Sequence, residues 1–188
     1  MIYVIPSIKS YYNNQFEISI DLKLINFLKK FYKKKVKVIT EISKIDKSYK
    51  LLVISGGNTL HKISKKKEDL IRFRFDNFYF KEALNKKIPI LGICHGAQFI
   101  GSFFNSKIKL IKNHVGKHFI IYKNKKYIVN SYHNYGITKL GKKLKQTTQT
   151  SDKTIESFSY TSKKIIGIMW HPERYDSIKN LDKLILKK

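Results

Sequence analysis

Short runs of β-branched and aliphatic residues alternate along this chain with stretches whose apolar positions recur at helical spacing. Residues 1–6, 36–40 and 51–55 have the first pattern and predict strands, the last running into Gly56-Gly57. Residues 17–32 align Ile20, Leu24, Phe27, Leu28 and Phe31 in one stripe and predict a helix. A second helix is expected over 77–85, a buried strand over 88–93 and a third helix over 95–104. The second half is richer in strands, at 119–122, 127–131, 154–159 and 165–170, and a closing helix fits 176–186. Strands alternating with helices argue for an α/β fold of three layers, a doubly wound and mostly parallel sheet with helices on both faces. Ligands of such sheets sit at the carboxyl ends of the strands, so the residues that follow strands are where chemistry is expected. No repeat, low-complexity tract or Pro/Gly/Ser-rich linker interrupts the pattern, which predicts a single domain over 1–188.

Composition narrows the class. At 42% hydrophobic and 13% aromatic residues, the profile is far from that of a disordered chain. No apolar run reaches the ~18 residues a membrane span needs, and the first residues lack a signal-peptide pattern. A lone cysteine, Cys94, cannot form an internal disulfide and fits a reducing compartment, so a cytoplasmic location is expected. The formal net charge of +26 invites a nucleic-acid reading, but of 39 basic residues only Arg72, Arg74 and Arg174 are arginines. The lysines are spread along the whole chain, as a solvated basic surface would have them. Such a field attracts anionic substrates, and neither nucleic acid nor membrane is expected as a partner.

Candidate chemistry gathers around Cys94. The predicted strand ends in Leu91-Gly92-Ile93-Cys94-His95-Gly96-Ala97-Gln98, a Gly-x-Cys-x-Gly pattern at a strand-to-helix junction. This is the thiol counterpart of the serine nucleophile elbow, in which a sharp turn presents the nucleophile and flanking glycines let neighbouring backbone pass. A helix N-terminus starting at His95 favours thiolate over thiol, and the His95 N–H points to where an oxyanion would form. A thiolate needs a base and an orienting group, and His171-Pro172-Glu173 follows the strand over 165–170 on the same sheet edge. Pro172 fixes one φ angle, which holds Glu173 where its carboxylate can bond the imidazole. No metal-ligand spacing or phosphate-cradling loop is visible, so no metal and no cofactor are expected.

Four segments in this order resemble the class I glutamine amidotransferase superfamily, and within it the γ-glutamyl hydrolase branch. They are Val53-Ile54-Ser55-Gly56-Gly57-Asn58, the elbow, Val129-Asn130-Ser131-Tyr132-His133, and Ile166 through Trp170 leading into His171-Pro172-Glu173. The stretch Asp152 with Ile155-Glu156-Ser157 also resembles that branch. The resemblance implies a flavodoxin-like sheet and hydrolysis of a γ-glutamyl amide through a glutamyl thioester. It implies Gly57 as a second oxyanion donor beside His95, with Asn58, Gln98, Ser131, Tyr132 and His133 lining a glutamyl pocket. Three departures fall elsewhere. His95 stands where many relatives have Arg, and Asn134-Tyr135 stands where a His-Gln pair is common. The segment before the elbow reads Arg72-Phe73-Arg74-Phe75-Asp76. Two of three arginines in that altered segment either bind the phosphates of a nucleotide-linked γ-glutamyl substrate or sit on a solvated helix face. A γ-aminobutyrate conjugate, or glutamine with ammonia passed to a separate synthase, remain the alternative substrates. The oligomeric expectation is monomer or homodimer.

Overall fold

The computed structural model describes residues 1–187. Thirteen strands and five α-helices follow one another in the order β1 (Ile2–Ile5), β2 (Ser7–Ser10), β3 (Phe16–Ser19), α1 (Leu22–Tyr32), β4 (Val36–Val38), β5 (Leu51–Ile54), α2 (His61–Ser64), α3 (Lys67–Asn85), β6 (Ile90–Ile93) and α4 (His95–Phe103). The second half continues with β7 (Lys107–Leu110), β8 (Val115–Tyr122), β9 (Lys125–Tyr132), β10 (Tyr135–Lys139), β11 (Lys145–Gln149), β12 (Ile155–Tyr160), β13 (Ile165–Ile168) and α5 (Asn180–Leu186).

The central sheet runs β4-β1-β5-β6-β13, all in parallel, and then turns antiparallel through β12, β11, β8 and β9. The molecule is therefore the expected α/β type with a mostly parallel centre. β1, β5 and β6 are buried along their whole length, as aliphatic runs in a sheet covered on both faces must be. One apolar layer packs Tyr79, Phe80, Ala97 and Ile100 against Ile5, Leu52, Ile54 and Ile90. The layer on the opposite face joins Leu24, Phe27 and Leu28 to Val4, Val53, Ile93 and Trp170. No described helix is long and apolar enough to cross a membrane.

Two predicted elements change shape. The helix expected from residue 17 begins at Leu22, because Asp21 caps it by accepting from Lys23 N–H, while Phe16–Ser19 pairs with β2 as a hairpin. The helix expected over 77–85 begins ten residues earlier, at Lys67. The β8–β9 hairpin turns through Lys123 and Asn124, both at positive φ, as a two-residue type I′ turn requires. It meets the rest of the sheet through the pairing of Ile121 with Gln149.

Candidate active site

The carboxyl ends of β5, β6 and β13 lie side by side, since Ile54 pairs with Gly92 and Ile168 pairs with Ile93. The next residues of the three strands therefore share one edge of the sheet. Cys94 leaves β6 at φ 51° and ψ −103°, a conformation L residues rarely adopt, and serves as N-cap of α4. Its own N–H is bonded to Ile168 O, so the turn is held from the neighbouring strand.

The elbow glycines have a steric cause. A Cβ on Gly96 would lie 2.1 Å from Ile54 O, and one on Gly92 would lie 2.6 Å from the Gly96 backbone. No side chain can occupy either position while β5, β6 and α4 pack this closely. Gly56 fills the same role across the gap, where a Cβ would meet His171 Cε1 at 2.8 Å and Cys94 Cβ at 3.4 Å. The next residue, Gly57, takes φ +125° with Ser7 packed against it, so only glycine fits there as well.

His171 faces Cys94 with Nε2, while Nδ1 and Glu173 Oε1 are 2.6 Å apart. All three side chains are buried. The His171 main chain is clamped by Asn130, whose Oδ1 accepts from the backbone N–H at 2.8 Å and whose Nδ2 donates to the backbone O at 2.8 Å. Burial disfavours the imidazolium, but hydrogen bonds and charge from Cys94 and Glu173 outweigh it and push the His171 pKa up to about 9. A raised folded-state pKa stabilises the fold fully below the unfolded value near 6.5, and that contribution is lost as pH rises through about 9. Thermal melts from pH 6 to 10 are expected to show this decline in the native chain and to lose it in His171→Asn.

Behind the elbow lies a buried polar chain. Arg72 Nε donates to Asp76 Oδ1 at 2.8 Å, Asp76 Oδ2 is 2.7 Å from His95 Nε2, and His95 Nδ1 is 2.7 Å from Asn58 O. Both His95 ring nitrogens thus face oxygen atoms, which hold the ring in place from two sides. Burial opposes ionisation of Asp76, yet Arg72 and His95 hold its carboxyl below the ordinary carboxylate range. This corrects the phosphate expectation for Arg72. Its guanidinium is fully buried and turned to Asp76, Pro6 O and Ser55 O, away from solvent. Arg74 is exposed on the same helix.

The remaining expected pocket residues divide. Tyr132 stands with its ring edge-on to His171 at 5.5 Å, and the Arg174 guanidinium lies 4.4 Å over its face. Gln98 is buried, with Nε2 donating to Tyr135 O at 2.8 Å. Asn58 is bound to the β2 backbone, accepting from Ile8 N–H and donating to Ile8 O. Ser131 is buried and donates to His114 O, and His133 lies beside Glu156, away from Cys94's immediate partners. Sequence reasoning missed Asn130 as a clamp, although it sat inside a quoted motif, and missed Arg174, which directly follows Glu173. Next to His171, Trp170 is fully buried and its Nε1 donates to Asp182 Oδ1 of α5 at 2.9 Å.

The arrangement can perform acyl transfer: a thiol on a strained turn at a helix N-terminus, a histidine within reach, and a carboxylate fixing that histidine. Comparison with known proteins points the same way. The family model for class-I glutamine amidotransferases matches residues 16–186. A γ-glutamyl-CDP-amidate hydrolase from Campylobacter jejuni is 41% identical over 153 residues, which cover 77% of this chain and 74% of that protein. Among solved structures, a glutamine amidotransferase from Thermotoga maritima superposes with TM-score 0.67 at 18% identity, over 92% of this chain and 75% of the other. A chain of PurLQS from the same organism gives TM-score 0.70 at 16% identity, covering 96% and 90%. With the match spanning nearly its whole length, the chain belongs to the class-I glutamine amidotransferase family of cysteine-nucleophile enzymes.

Proposed function

We propose that this enzyme hydrolyses a γ-glutamyl amide through Cys94, His171 and Glu173, and that its substrate is γ-glutamyl-CDP-amidate. The thiolate of Cys94 attacks the γ-carbonyl while the N–H groups of His95 and Gly57 hold the oxyanion, each worth on the order of 3 kcal/mol. His171 protonates the departing nitrogen, glutamyl remains on sulfur as a thioester, and a water activated by His171 releases L-glutamate. The leaving product is then cytidine diphosphoramidate. The observation that carries the reaction class is Cys94 at φ 51° facing a histidine that is itself 2.6 Å from a buried carboxylate. Support for the substrate comes from the 41% identity to a hydrolase of that name.

Arg174 and Tyr132 deepen the substrate reading. With Arg72 turned inward, the arginine left beside His171 is Arg174, poised over an exposed aromatic ring. A guanidinium and a ring face suit the phosphates and base of a nucleotide leaving group. Glutamate release assayed on a panel of γ-glutamyl-CDP-amidate, γ-glutamyl-γ-aminobutyrate and glutamine tests the proposal. The nucleotide amide is expected to have the highest kcat/KM. Arg174→Ala is expected to lower that value about tenfold, as loss of one charge-assisted contact would, and to leave glutamine unaffected. Equal rates on all three amides would sink the substrate claim. Activity that appears only with a synthase partner, and yields ammonia, would replace it with the glutaminase reading.

A further inference from the structure

Three of the chain's six histidines meet at a site that the hydrolytic reaction does not use. His114 lies one residue before β8, His118 on the inner face of β8, and His133 one residue after β9; all three turn toward Glu156 of β12. Glu156 is fully buried, and neither carboxylate oxygen has a hydrogen-bond partner. His114 Nδ1, both nitrogens of His118 and both of His133 are likewise buried without hydrogen-bond partners, the nearest approaches to Glu156 being long contacts of 3.4–3.6 Å. Buried polar atoms are nearly always paired, so this many orphans around one carboxylate call for a ligand.

The spacing identifies its kind. His114 Nδ1 lies 3.4 Å from Glu156 Oε1 and His118 Nε2 lies 3.4 Å from Glu156 Oε2. One donor atom from each of the three residues falls within 4.8 Å of the others. Ligands tetrahedrally placed at about 2.0–2.1 Å from zinc stand roughly 3.3–3.4 Å apart, close to the separation of each of these two imidazole nitrogens from its Glu156 oxygen. His114 Nε2 is 3.0 Å from Asp152 Oδ2, a carboxylate on the outer side of the ring. With Asp152 on its Nε2 side, His114 turns Nδ1 inward toward Glu156. A carboxylate holding the far nitrogen of a ligating histidine is the usual outer support of a zinc site.

We propose that His114, His118 and Glu156 bind a divalent first-row transition metal, zinc foremost, with His133 as the neighbouring nitrogen donor. Imidazole nitrogen combined with carboxylate selects such ions over magnesium or calcium. The ion would tie β8 to β12. That matters because the β8–β9 hairpin otherwise joins the sheet through Ile121 and Gln149 and carries Asn130, the residue that brackets His171. The site is thus structural, acting on the reaction through the position of the hairpin. It departs from the metal-free reading of the sequence and does not depend on which amide is the substrate.

The test uses tag-free protein, loaded with zinc, desalted and analysed for metal by mass spectrometry. About one zinc per chain is expected, both in the native chain and in Cys94→Ala. His118→Ala and Glu156→Gln are each expected to retain only a small fraction of that metal. His118→Ala removes the least buried ligand, so it remains informative if Glu156→Gln fails to fold. Cobalt loading is expected to give tetrahedral d–d bands with no thiolate charge transfer, and chelation is expected to lower Tm and speed amide exchange across residues 114–133. Metal-free native protein after loading, full occupancy in both ligand variants, or loss of metal in Cys94→Ala would each overturn the proposal.

Discussion

Replacing Cys94 with alanine is expected to cut γ-glutamyl amide hydrolysis by on the order of 10⁴-fold or more while leaving the fold intact. The side chain is small and nine residues of helix follow it, so the change removes one sulfur from a buried turn and little packing. Cys94→Ser keeps the geometry but offers a hydroxyl that His171 activates poorly, and a loss of similar order is expected. Circular dichroism and the urea midpoint check the fold, and single-turnover trapping of the glutamyl thioester checks the mechanism. A thioester seen in native protein after acid quench, and absent from both variants, is the expected outcome. Turnover within about tenfold of the native rate in Cys94→Ala would remove the nucleophile from this scheme altogether.

Arg72→Met is expected to destabilise the chain by about 3–5 kcal/mol, because it leaves Asp76 buried without its guanidinium partner. The arginine also closes the gap between α3 and the ends of β1 and β5 by donating to Pro6 O and Ser55 O. Its loss strands those carbonyls too. Arg74→Ala, an exposed change on the same helix, is expected to stay within about 0.5 kcal/mol of the native chain. Urea denaturation of the two variants side by side gives the comparison. An Arg72→Met protein of native stability but raised KM for the nucleotide substrate would restore the phosphate-binding reading for this residue. Because Asp76 touches His95, a smaller loss of kcat in the surviving folded protein is expected alongside the loss of stability.

The elbow and its partners were legible in the sequence because they are local and sterically forced. Two glycines at fixed distance from a cysteine, and a His-Pro-Glu after a strand, need no tertiary knowledge to interpret. Helix α3 was only half legible for an instructive reason. Its buried face in the first turns consists of Asp69, Arg72 and Asp76, at helical spacing but polar, so a search for apolar periodicity passes over it. The same blindness misassigned Arg72, since an arginine satisfied inside the molecule reads in sequence like one facing solvent. The helix expected over 17–32 reaches back across residues 17–19 because Ile20 fits either period, and only pairing with β2 decides between them. The His114, His118 and Glu156 cluster spans more than forty residues and two strands, a spacing with no local signature.

The bond from Trp170 to Asp182 has a practical consequence. This is the only tryptophan in the chain, and it is shielded from water one residue before His171. Its indole therefore acts as a built-in optical label for the working edge of the sheet. Any event that loosens β13 or detaches α5 exposes that single ring and moves its emission toward longer wavelength. Local opening at the reacting edge can then be followed in real time, in unlabelled protein, separately from unfolding elsewhere.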